Sequence, residues 1–145
     1  MTRREWFLVV CGVLLAPPGI AQVKDGGFVV IVHPSNHFAA LTRSKLSFLF
    51  LRKVSRWPWG AEVEPVDLAL NQPARLEFTR QVLRTNERDL DQFWIDQTST
   101  RGISRPLQVT GAAEAKTVVA VRPGAIAYIP AAELDRTVKA LKVEP

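Results

Sequence analysis

One cysteine, one methionine, one tyrosine and two histidines are all that this 145-residue chain offers of those residue types. A lone thiol, Cys11, cannot close an intrachain disulfide and cannot build a cysteine-ligated metal site. No serine sits in a G-x-S-x-G elbow, and neither G-x-x-x-x-G-K-S/T nor G-x-G-x-x-G occurs, so the local signatures of those hydrolases and nucleotide-binding loops are missing. His33 and His37 are four apart, a spacing that suits a metal only on a helix. Pro34 and the apolar run before it argue for a loop instead, and no third ligand is evident. Glu62, Glu64 and Asp67 could line one strand, where alternating carboxylates usually face water. These absences point away from an enzyme and from any cofactor or metal.

Long apolar runs are also scarce. The one that stands out, Trp6 to Ala16, follows Arg3 and Arg4 and ends at Pro17-Pro18-Gly19. As a helix it would span about 16 Å at ~1.5 Å per residue, too short for a hydrocarbon core of about 30 Å. A cationic start, a short apolar stretch and small residues at Gly19 and Ala21 are the grammar of an export signal, so residues 1–21 are expected to be a cleaved signal peptide. Sec and twin-arginine export both remain open, and no stable membrane insertion is expected after cleavage. Cys11 would leave with the signal.

What stays has the composition of a folded domain, 47% hydrophobic and 23% charged over the whole chain. The formal charge is +5, and removing residues 1–21 takes 19 basic residues to 17 and 14 acidic to 13, leaving +4. That is too mild an excess to suggest a nucleic-acid partner.

Phe28 to Val32 is a continuous β-branched and aromatic run, as in a strand covered on both faces, and His33-Pro34-Ser35-Asn36 reads as a turn. Thr42 suits an N-cap for a helix through about Leu51 with Leu46, Leu49 and Phe50 inward. Val63 to Leu68 reads as a strand, with Pro65 suggesting an edge or an end. Asn71-Gln72-Pro73 starts a second helix, Asn86 caps a third, and residues 98–110 show no clear period. A helix over Ala112 to Val121, a strand from Ala125 to Ile129 and a last strand over Val138 to Val143 complete an α/β order with a mixed sheet.

The segment 43–60 carries five cations and no acid. A solvated helix face is the ordinary explanation, and contact with anionic lipid stays open. Within it, Leu46-Ser47-Phe48-Leu49-Phe50-Leu51-Arg52-Lys53 followed by Trp57-Pro58-Trp59-Gly60 resembles the "L-x-x-I-F-L-G-K-x-x-x-W-x-x-G" segment of the substrate-binding proteins of phosphate ABC transporters. Val63 to Asp67, Arg75-Leu76-Glu77-Phe78 ("R-x-x-F") and Val118 to Ile129 ("V-x-x-x-P-G-A-I-G-Y-V") resemble further segments of that family in the same order.

The resemblance implies a type II periplasmic-binding-protein-like fold over residues 22–145, a mixed sheet flanked by helices and reduced in size. It implies a periplasmic protein that binds phosphate or a similar oxyanion noncovalently and works with an ABC transporter permease or a sensor. The candidate ligand-binding residues are Ser35, Asn36, Asn71, Gln72 and Arg75. Where the family has an "S-G-T" phosphate turn at a helix N-terminus, however, this chain has Leu70-Asn71-Gln72-Pro73-Ala74, and Pro73 removes an N–H donor. Arg75 is placed to hold an oxyanion or to pair with Glu77 or Asp67. The alternative is a non-transporting envelope interaction module that kept the scaffold and lost the ligand, with Trp57 or Trp59 as contacts if they are not core.

Overall fold

A computed structural model describes residues 27–145. The expected signal segment and Cys11 lie outside the described residues. The elements are β1 (Phe28–Val32), β2 (Ala40–Thr42), α1 (Arg43–Phe50), β3 (Glu64–Leu68), α2 (Pro73–Phe78) continued by a π-helical turn (Thr79–Leu83), α3 (Glu87–Arg101), β4 (Leu107–Val109), α4 (Ala112–Val121), β5 (Ala125–Pro130) and β6 (Lys139–Glu144).

They form one six-stranded sheet in the order β2-β6-β1-β5-β3-β4. β1 runs antiparallel to β5 and β6, whereas β3 runs parallel to both β5 and β4. The expected mixed α/β sheet is therefore present. Ala125 to Ile129 are all fully buried, because α2 covers one face of β5 and α4 the other. On the first face the Phe78 ring stacks on Tyr128 at 3.9 Å between centroids, with Phe28 and Phe50 edge-on to Phe78. Such contacts add to the burial of the rings themselves.

Local chemistry accounts for the helix boundaries. Thr42 Oγ1 accepts from Lys45 N at 3.2 Å and Asn86 Oδ1 from Asp89 N at 2.9 Å, so both expected caps form. Gly102 ends α3 at φ 66°, a left-handed conformation that glycine adopts without a Cβ penalty. Pro65 is not on an edge strand, since β3 lies between β5 and β4. Its β4 neighbour starts pairing only at Val66, so Pro65 has a ladder partner on one side and its missing N–H is tolerated.

The stretch 98–110 is more ordered than its sequence suggests. α3 continues through Arg101, and Leu107–Val109 adds the edge strand β4. Trp57 belongs to the core, 3% exposed, with Nε1 donating to Gly124 O at 2.9 Å, and Trp59 stacks on it half-buried. That removes Trp57 as a surface contact. Among the described residues no helix is long and apolar enough to cross a membrane.

Candidate functional site

In a sheet with parallel strands, ligands enter at the carboxyl ends of those strands, where loops and helix N-termini gather. β3, β4 and β5 all end on the same side here. The loop after β3 holds Asn71 and Gln72 and leads into α2; the turn after β4 holds Thr110 and Gly111 and leads into α4. Gln72 Nε2 donates to Thr110 O at 3.1 Å, tying the two loops together. The N-termini of α2 and α4 thus open on one mouth.

The candidate residues do not all meet there. β1 is antiparallel to β5 and β3 is parallel to it, so the loop after β1 and the loop after β3 lie at opposite ends of the sheet. Five strand residues at ~3.3 Å each separate them by roughly 16 Å. Ser35 and Asn36 therefore do not join Asn71, Gln72 and Arg75 in one site. They shape their own turn instead. Asn36 Oδ1 accepts from Phe38 N at 2.9 Å, Asn36 O accepts from Lys139 Nζ at 2.8 Å, and Ser35 bonds His33 Nδ1 at 2.7 Å.

Arg75 is at the correct end but faces inward, only 4% exposed. Its fork is held by Glu87, with Nε donating to Oε1 at 2.8 Å and Nη2 to Oε2 at 2.9 Å. Nη1 donates to Leu68 O at 2.7 Å and lies 3.2 Å from Asp67 Oδ2. Of the partners open to Arg75 in the sequence, Asp67 is the one it meets, whereas Glu77 pairs with Arg80. Glu87, the first residue of α3, is the partner that sequence spacing did not suggest.

Behind Arg75, Asp67 accepts the Tyr128 hydroxyl proton and the Leu68 N–H. Burial pushes the Asp67 carboxyl above its usual range, against the opposing pull of Tyr128 and Arg75. Burial and the Asp67 charge together hold the Tyr128 phenol well above its usual value. Burial pulls the Arg75 guanidinium down, but Glu87 and Asp67 outweigh it, so Arg75 stays charged.

At the second helix, Glu114 in the first turn of α4 reaches back and accepts from Thr110 N at 2.9 Å and from Thr110 Oγ1 at 2.8 Å. These bonds draw its carboxyl below the usual range. A carboxylate of the chain thus stands beside the α4 N-terminus, where the helix dipole favours negative charge. Asn71 and the first-turn N–H groups of α4 are the remaining donors at the mouth.

Solved structures decide what kind of fold this is. An ABC-type phosphate transport receptor from Vibrio cholerae superposes with a TM-score of 0.65 at 18% identity, covering 81% of this chain and 46% of the receptor. The fold is one it shares with phosphate receptors. A protein described as a phosphate ABC transporter substrate-binding protein, with bound phosphate, from Clostridium perfringens gives 0.64 at 20% identity over 81% and 44%. PstS from Borrelia burgdorferi gives 0.63 at 14% identity over 81% and 47%. The chain spans a little under half the length of these receptors. No protein-family model matches it, and no curated protein does. At such identities the likeness is one of fold, and function has to be argued from the site.

Proposed function

We propose that the chain is an exported, periplasmic solute-binding-like protein that takes phosphate or a related oxyanion noncovalently and presents it to an ABC transporter or a sensor. The observation that carries this reading is the shared mouth of α2 and α4 at the carboxyl ends of β3 and β4, in a receptor fold. Free N–H groups in the first turn of α4, the N–H and side chain of Asn71 and the side chain of Gln72 are the proposed ligand contacts. Arg75 is a positioning residue: its ion pairs with Glu87 and Asp67 fix the α2 start against α3 and β3.

A second reading, an envelope interaction module without a ligand, is favoured by one specific observation. Two anion attractors at the mouth already have an internal carboxylate, Glu87 and Asp67 for Arg75 and Glu114 for the α4 N-terminus.

Calorimetric titration of the protein with phosphate and with sulfate separates the two. The first reading expects saturable one-site heat that weakens in an Asn71→Ala/Gln72→Ala double variant. No heat up to millimolar phosphate would sink it and leave the interaction module.

A further inference from the structure

The segment 43–56 begins where β2 ends, at the opposite edge of the sheet from β4. Leu46, Leu49 and Phe50 of α1 are buried, while Arg43, Lys45, Arg52, Lys53 and Arg56 remain at least partly exposed. None of these five cations forms a salt bridge among the described residues. The main elements packed on α1 are β2, β3 and the π turn, whose acids Glu64 and Asp67 are paired with Arg122 and Arg75; Glu62, bridged through the backbone to Arg56 and sharing a groove with Arg52, is the one acid beside the face among the described residues.

Three features resist explanation as an ordinary solvated face. Arg52 and Lys53 complement the α1 C-terminus, but Arg43 and Lys45 sit at its start, where the helix dipole disfavours them. Phe48 and Val54 stand among the cations 46% and 40% exposed, with Lys53 Nζ 5.5 Å from the Phe48 ring centre. Finally, Arg52 has φ 57°, a conformation an L-residue adopts reluctantly, at the place where the L-G-K of the related segment has glycine. The backbone there would suit glycine better, as it would at Arg84 with φ 53°.

We infer that this face, α1 and the turn through Arg56, docks on an anionic phospholipid bilayer. Lys and Arg without an ion pair among the described residues supply attraction to acidic headgroups, and Phe48 and Val54 supply the shallow apolar insertion that makes such attachment more than a diffuse ion cloud. The inference is independent of the oxyanion reading, since its residues lie on α1 rather than at the mouth.

The test is cosedimentation of the full chain with vesicles of phosphatidylglycerol and phosphatidylcholine, against phosphatidylcholine alone. Arg3 and Arg4 beside the apolar run 6–16 also favour anionic vesicles, so the cationic face is reported by the part of the anionic increment that its own substitutions remove. Arg52→Gly is expected to lower that increment about fivefold while leaving thermal stability equal or higher, because it removes both a cation and the positive-φ strain. Arg52→Gly/Lys53→Gln/Arg56→Gln is expected to lower it on the order of 100-fold, and 0.5 M salt to suppress it. Phe48→Ser is expected to weaken it at constant charge. Equal binding to both vesicle types, or a triple variant that binds like wild type, overturns the inference. Capture of poly-glutamate without an anionic-vesicle increment also overturns it, assigning the face to an acidic protein.

Discussion

Arg75 and Glu87 form a two-pronged ion pair, at 2.8 and 2.9 Å, that joins the start of α2 to the first residue of α3. Because the guanidinium is nearly inaccessible and also serves Leu68 O and Asp67, its loss strands two carboxylates. Arg75→Ala is expected to destabilise the fold by about 3–5 kcal/mol, the range for breaking a buried pair by removing one partner. Arg75→Lys keeps the charge but not the fork, so it should fall between. Urea unfolding measures both; an Arg75→Ala protein as stable as wild type would remove the positioning role.

Tyr128→Phe isolates the next link. The ring keeps its stack on Phe78, but Asp67 loses a hydroxyl donor while remaining partly buried. The loss is expected to be about 1–3 kcal/mol at neutral pH. Its pH dependence follows from the direction of the Asp67 shift. Folding already raises this carboxyl, so the protonated form is favoured in the native state and that contribution fades as pH rises through the raised pKa. Removing Tyr128 Oη raises the native pKa further. The difference between variant and wild type should therefore shrink toward acid, where Asp67 is protonated in both. A pH-independent difference would show that the hydroxyl does not act through Asp67.

Some of this was legible in the sequence. The β-branched run of β1, the Thr42 and Asn86 caps and the period of α1 marked their elements correctly because burial on a fixed face and a local cap leave local traces. β4 did not, since Leu107–Val109 is a three-residue edge strand with two exposed side chains and no period to read. Nor did the separation of Ser35 and Asn36 from Asn71 and Gln72. Apolar periodicity reports which face a strand buries, not which way it runs, and it was the antiparallel β1 that placed its loop at the far end. Glu87 was missed because its spacing from Arg75 crosses a π-helical turn and a new helix start, beyond the reach of i to i+4 reasoning.

Glu114 offers a prediction of opposite sign to the usual loss-of-contact variant. If the mouth receives an oxyanion, the exposed Glu114 carboxylate beside α4 repels it, while its bonds to Thr110 N and Oγ1 shape the turn. Glu114→Gln preserves an acceptor oxygen and removes the charge. Phosphate affinity is expected to rise severalfold, most clearly at low ionic strength, where exposed charges are least screened. Calorimetry at two salt concentrations checks this. Unchanged or weaker affinity would mean that the oxyanion does not approach the α4 N-terminus.

Gly124 tests how closely the α4–β5 turn meets the strand entry. A Cβ at this position would lie 1.9 Å from Glu62 O, a backbone atom with no rotamer to yield. The same residue accepts from the buried Trp57 indole at 2.9 Å and from Glu64 N at 3.0 Å, so moving it also disturbs the start of β3 and the tryptophan stack. Gly124→Ala is therefore expected to destabilise by at least about 3 kcal/mol, at or beyond the upper end of ordinary overpacking. Trp57→Phe, which only withdraws the indole donor and part of the ring, should fall well short of that. Chemical denaturation followed by circular dichroism checks the order, and a Gly124→Ala protein no less stable than Trp57→Phe would mean that the turn can move away from Glu62 at little cost.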